Sequence, residues 1–243
     1  LAQQSEEQQQ RDLLGNWKYK SAGDDVIKIT DMERFYTNAY QYDDNIRRAT
    51  CDVAFDGGDM LVLCLFIGNH LRDVATSHFD SRQSILFVKA KLQEWGVVEE
   101  NFAYDLNGIG QAFKGFFKKA IPFNNRESVD EKYKGVHDTI KSQCAAMFAD
   151  SLIHGEYSID EHLLDMRFTA KGYDKMKLRD ILMKERKSLR WDEQKSDSGR
   201  CLIKKQVMKR YVGWSPDWLE AMEIHKIFKI KTHRKRWVGI GAI

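Results

Sequence analysis

Residues 51–64 read CDVAFDGGDMLVLC, two short apolar runs with a cysteine at each outer end, joined by Asp56-Gly57-Gly58-Asp59. Gly-Gly between β-rich runs is a strong hairpin signal, because both loop positions then tolerate positive φ. With Gly57 and Gly58 as the loop, Val53 faces Val62 and Cys51 faces Cys64. A four-residue loop on the same centre keeps that pairing, whereas an odd loop destroys it. Cys51 and Cys64 then occupy a non-hydrogen-bonded pair with Cα atoms about 4.5 Å apart, inside the range a disulfide spans. In an oxidising compartment this register predicts a Cys51–Cys64 bridge. The alternative is two reduced thiols packed among Val, Leu and Phe. No CxxC or clustered Cys/His accompanies the pair, so no metal site is expected. Cys144 and Cys201 offer no register to test.

The compartment follows from the same reasoning. Leu1-Ala2 before the polar run QQSEEQQQ reads like the residue of a signal-peptide cut. A secreted or periplasmic protein is therefore expected, with a cytoplasmic one as the alternative. No apolar stretch approaches the roughly 18 residues of a membrane helix, so no transmembrane segment is expected.

Composition is that of a globular chain: 243 residues, 42% hydrophobic and 31% charged, with two prolines. The net charge of +3 conceals an asymmetry. Residues 1–170 carry 19 Lys+Arg against 27 Asp+Glu, and residues 171–243 carry 20 against 9. A basic C-terminal part attracts phosphate, anionic lipid or an acidic partner, or else the acidic part of its own chain.

Outward from the hairpin, strands are expected at 26–29, 34–42, 48–55, 60–66, 72–79 and 84–90, an antiparallel meander. Residues 107–123 read as an apolar, basic connector. From Arg126 to Asp150 the period changes: Val129, Tyr133, Val136, Ile140, Cys144 and Met147 recur at three-and-four spacing. That predicts a central amphipathic helix, with Ser128 and Glu131 as a capping box. Beyond it, strands are expected at 163–169, 188–194, 201–211, 227–231 and 236–240, and helices at 173–187 and 217–226. The expected fold class is α+β and β-rich: an antiparallel sheet or barrel, a central helix and a second, smaller β-containing half. The organisation follows as a β region at 1–122, a connecting helix at 123–151 and a basic region at 152–243.

Gly15-Asn16-Trp17, with Leu13-Leu14 before it and a meander after it, resembles the opening of a lipocalin or related calycin barrel. The resemblance implies a cavity for a small apolar ligand, with Trp17 and Tyr19 near its floor and Phe55, Val62 and Leu65 along its sheet. It also implies that Arg234 or Arg236 packs on Trp17. The mid-chain helix departs from that family.

No catalytic signature is legible. His70, His78, His137, His154, His162, His225 and His233 are scattered, and the pairings His70 with Asp73 and His78 with Asp80 match no recognised ligand pattern. There is no phosphate loop, dinucleotide fingerprint or HExxH, so no cofactor is expected. KIFKIKTHRKRW (226–237) is the densest basic segment. Lys229, Lys231, Arg234, Lys235 and Arg236 are its candidate anion-binding residues, on a strand that either holds phosphates or guards a sheet edge. The expected function is an exported, non-enzymatic binding protein for an apolar ligand or a protein partner. The alternatives are a polyanion- or nucleic-acid-binding module acting through the basic C-terminal region, and an interaction protein without a pocket.

Overall fold

The computed structural model describes residues 25–39, 44–54, 60–78, 80–129, 133–192 and 199–231. Trp17, Tyr19, Phe55, Arg234, Lys235 and Arg236, with the Gly-x-Trp stretch and the turn at 55–59, lie outside them.

Helix α1 (Ile29–Thr37) precedes three strands, β1 (Arg47–Asp52), β2 (Leu61–Ile67) and β3 (His70–Ser77). Helix α2 (Ser81–Glu94) leads to β4 (Phe102–Asp105) and β5 (Ile121–Phe123). Next come α3 (Ile140–Ile153), β6 (Ser158–Ile159), α4 (Glu161–Asp165) and a hairpin of β7 (Arg167–Ala170) and β8 (Tyr173–Lys177). Helices α5 (Leu178–Glu185), α6 (Lys205–Val212) and α7 (Asp217–Glu223) follow.

The main sheet runs β5-β4-β1-β2-β3-β6. β2 lies antiparallel to β1 and β3, whereas β4 is parallel to β1, β5 to β4 and β6 to β3. A lipocalin barrel is a closed antiparallel meander; this sheet is mixed and open, so that resemblance and the β-barrel fold are overturned. LVLCLFI on β2 shows why. Its side chains are buried on both faces, the mark of a strand covered on two sides. Leu61, Leu63 and Leu65 pack under α2 with Ile85, Val88 and Leu92. Val62, Cys64 and Phe66 face α1, α3 and α7 through Phe35, Phe148 and Met222.

The predicted disulfide is overturned by one residue of register. β1 and β2 do pair antiparallel, but Cys51 faces Leu63 and Thr50 faces Cys64. A one-residue slip sends a side chain to the other face of a sheet. Cys51 accordingly lies in the α2 layer and Cys64 in the opposite one. All four cysteines are free, and burial pushes the Cys51, Cys64 and Cys144 thiols up. The denatured, unreduced protein is expected to titrate four thiols, and the native protein to modify first at Cys201, which is partly exposed. A count of two would contradict this arrangement.

Several expected strands are wholly or partly helical, 205–211 and 227–231 among them, and the helix expected at 173–187 opens as strand β8. At 84–90 the chain lies inside α2, where Ile85, Val88 and Leu92 form a buried stripe and Asp80 accepts a hydrogen bond from the Gln83 amide at 2.8 Å. At 34–37 it belongs to α1, which buries Met32 and Phe35. The central helix starts only at Ile140, where the Thr139 hydroxyl caps it. None of the described helices is long and apolar enough to cross a membrane.

Candidate metal centre

Cys51 on β1 pairs with Tyr104 on β4, and both side chains sink into the α2 layer. Strand alternation turns the next residue of each, Asp52 and Asp105, to the opposite face at the carboxyl ends of two adjoining parallel strands. Helix α7 lies over that face. Its Asp217 and Glu220 stand three residues apart, on one side of a helix. One carboxylate oxygen each from Asp52, Asp217 and Glu220 lie within 4.8 Å of one another. Two strand ends and one helix thus converge on a buried acidic group.

Several contacts hold α7 in place. The Trp218 side chain is fully buried, donates from Nε1 to the Tyr173 hydroxyl at 2.9 Å and meets Phe168 edge-on. The helix is thereby anchored on the β7–β8 hairpin. The Glu185 carboxylate accepts from the Leu219 amide at 3.0 Å and from Trp214 Nε1 at 3.2 Å. Asp217 Oδ2 accepts from the Met60 amide, which ties the helix start to the entry of β2. On the β4 side, Asp105 accepts from the Asn107 amide and side chain at 2.9 and 2.7 Å. A Cβ on Gly110 would stand 1.8 Å from the Asp105 carbonyl oxygen, so only glycine lets the loop close behind that carboxylate.

Burial pushes the Asp52 carboxyl well above its usual range; Lys205 opposes this, while Glu220, Asp217 and Asp105 add to it. Asp105 is raised for the same primary reason, burial, with Glu220 contributing. Glu220 goes the other way. Burial works to raise it, but Lys141 and Lys205 override that and hold it at about 2. Lys141 Nζ meets Glu220 Oε1 and Lys205 Nζ meets Glu220 Oε2, each at 2.6 Å. Lys205 also stands 3.8 Å from both Asp52 and Asp217. Its ammonium supplies the counter-charge at the middle of the group.

The donor set fits a hard divalent cation. Carboxylate oxygens are the ligands that Mg²⁺, Mn²⁺ and Ca²⁺ prefer. A cation among the oxygens of Asp52, Asp217 and Glu220, which lie within 4.8 Å of one another, would offset their mutual repulsion.

Of the sequence-predicted ligand- and anion-binding residues, Val62, Leu65, Lys229 and Lys231 lie among the described ones. Val62 and Leu65 project from opposite faces of β2 and line no common cavity. Residues 226–231 are helical rather than extended; Lys229 is exposed and Lys231 pairs with Glu127 at 3.4 Å. Asp73 receives Trp95 Nε1 rather than His70, which bonds the Ser158 hydroxyl at 2.9 Å. Asp80 caps α2 instead of meeting His78. Sequence patterning does not single out the four carboxylates, although each leaves a trace. RRATCD and FAYD both end a strand on Asp, and DWLE places two acids at helical spacing.

No family model matches the sequence, and no curated protein does. Solved structures do match. The nuclease domain of the large terminase subunit gp2 of bacterial virus Sf6 superposes with a TM-score of 0.64 at 16% identity, covering 82% of this chain and 97% of that one. The large terminase nuclease from thermophilic phage G20c with bound magnesium gives 0.55 at 11%, covering 84% and 97%. The chain has the fold of a terminase nuclease domain. An Sf6 domain carrying a K428A substitution has been solved with manganese, at a TM-score of 0.62 and 16% identity over the same shares of the two chains. The likeness replaces the lipocalin reading, and with the free thiols it removes the grounds for a secreted or periplasmic protein.

Proposed function

We propose that the chain is a divalent-metal-dependent nuclease that hydrolyses nucleic-acid phosphodiesters. The observation that carries this reading is the buried convergence of Asp52, Asp217 and Glu220, with Asp105 beside them, on a terminase-nuclease fold. The exported, non-enzymatic ligand carrier is set aside. Reduced thiols fit the cytoplasmic alternative.

In the hydrolysis, water adds to phosphorus and one P–O ester bond breaks. Asp52, Asp217 and Glu220 would hold the cation, which when bound supplies charge stabilisation to the phosphoryl oxygens and acidifies a bound water. Asp105, held by Asn107, keeps negative charge at the edge of the group. Glu185 and Trp218 fix the helix from which two of the carboxylates project. Lys205 balances Glu220, so a cation bound there would compete with its ammonium, which once displaced could turn towards the phosphate. Because burial raises the Asp52 carboxyl, ligation there displaces a proton, and metal affinity rises with pH.

The test is incubation of the purified chain with supercoiled plasmid DNA. Nicking or linearisation with Mn²⁺ or Mg²⁺, stopped by EDTA and restored by excess metal, is expected. Mn²⁺ should also raise the melting temperature, more at pH 8 than at pH 6. No cleavage together with no Mn²⁺-dependent stabilisation would overturn the reading.

A further inference from the structure

A buried acidic group repels the polyanion it would cut, so a nucleic acid brought to it needs positive charge close by. Residues 199–216 (GRCLIKKQVMKRYVGWSP) hold five Lys and Arg and no Asp or Glu. Helix α6 lies within them. Its Lys205 enters the acidic group, and Lys209, one turn on, shares that row of the helix. Lys204, Arg210 and Tyr211 are exposed.

Neighbouring elements bring more cations to the same helix. The Arg190 guanidinium lies over the Tyr211 ring at 4.7 Å, which fixes a long side chain at the α6 surface. The Lys184 ammonium lies 5.6 Å from the ring of Trp214, just past the end of α6. The turn of the β7–β8 hairpin comes to the same place: a Cβ on Gly172 would stand 2.9 Å from that of Trp214, which leaves the exposed Lys171 beside it. Among the described residues, no carboxylate pairs with Lys184, Lys204 or Arg210.

We infer that the exposed sides of α6, with Arg190 and Lys184, are the surface on which a nucleic-acid backbone rests, next to the acidic group that Lys205 enters. This rests on the nuclease reading for the site the backbone reaches, and on Lys184, Lys204 and Arg210 for the contact itself. Of the two candidate anion-binding lysines described at 226–231, Lys231 is engaged by Glu127 and Lys229 is exposed.

The experiment measures binding of a fluorescent 20-base-pair DNA duplex in EDTA across a salt series, where no cleavage confuses the readout. The triple variant Lys184→Gln/Arg190→Gln/Arg210→Gln is expected to bind at least about tenfold more weakly, with the log–log salt slope reduced by about one for each phosphate no longer neutralised. Arg210→Glu alone, at an exposed position, should also weaken binding without moving the melting temperature. A control triple on another basic stretch, Lys89→Gln/Lys114→Gln/Lys118→Gln, should change affinity less than about threefold, since it leaves the α6 phosphate sites intact. Equal losses in the two triples, an unchanged slope for the α6 variant, or no binding by the wild type would each overturn the inference. The two readings fail separately. Weakened binding in the α6 variants with a wild type that never cleaves would sink the nuclease and leave this surface standing.

Discussion

Asp52→Asn is expected to lower metal-dependent cleavage by at least about 100-fold while leaving the metal-free protein as stable as the wild type, or more so. The activity side follows from its place at the carboxyl end of β1, inside 4.8 Å of oxygens from Asp217 and Glu220. Residues that merely orient metal ligands are worth about 10–100-fold, so a ligand itself should exceed that. The stability side follows from charge. Burial raises the folded-state carboxyl above its unfolded value, so ionised Asp52 disfavours folding as pH climbs from the usual carboxylate range through the raised one. Asparagine keeps the shape and removes that penalty at neutral pH. Initial rates of plasmid nicking with Mn²⁺ and thermal melts in EDTA check both halves. A variant that cuts at the wild-type rate would remove Asp52 from the site, and one that fails to fold would make it structural.

Lys141→Ala should have the opposite signature, a loss of about 3–5 kcal/mol in stability. Lys141 and Glu220 form a pair whose side chains are 19% and 6% exposed. Removing the lysine leaves the carboxylate with Lys205 alone, well out of water. Lys141→Met/Glu220→Gln should recover part of the loss, because no unmatched charge then remains. The pH dependence has a definite sign. Glu220 sits at about 2 in the folded protein against 4.5 normally. Its contribution is therefore fully present above about pH 4.5 and fades as pH falls towards 2. Urea unfolding from pH 7 down to pH 3 should show the wild type losing stability on that limb. The double variant should lose less there. A Lys141→Ala protein as stable as the wild type at pH 7 would show the pair to be energetically idle.

How much is legible in the chain differs from element to element. The pairing of β1 with β2 can be read from two β-rich runs around Gly-Gly, and helix 140–153 from its spacing. The stripe Ile85, Val88, Leu92 is also present, although Lys89 and Lys91 between those positions disguise it as a strand. At 205–212 the disguise is complete: α6 buries only Met208 fully, and its Lys and Arg hide the period. The carboxylates are readable singly, as an Asp at the end of each of two strands and a helical Asp-x-x-Glu, but not as a group.

Local forces decide what the sequence alone can tell: which runs extend, which coil, and that β1 and β2 pair antiparallel. Three things come only with tertiary packing. The register differs by one residue from the simplest hairpin, and that sends Cys51 and Cys64 to opposite layers. The sheet is open and mixed because helices cover it on both sides, where a barrel would have closed on itself. Finally, Asp52, Asp217 and Glu220 meet across 168 positions of chain, with Asp105 at the end of the neighbouring parallel strand, a proximity that no local preference encodes.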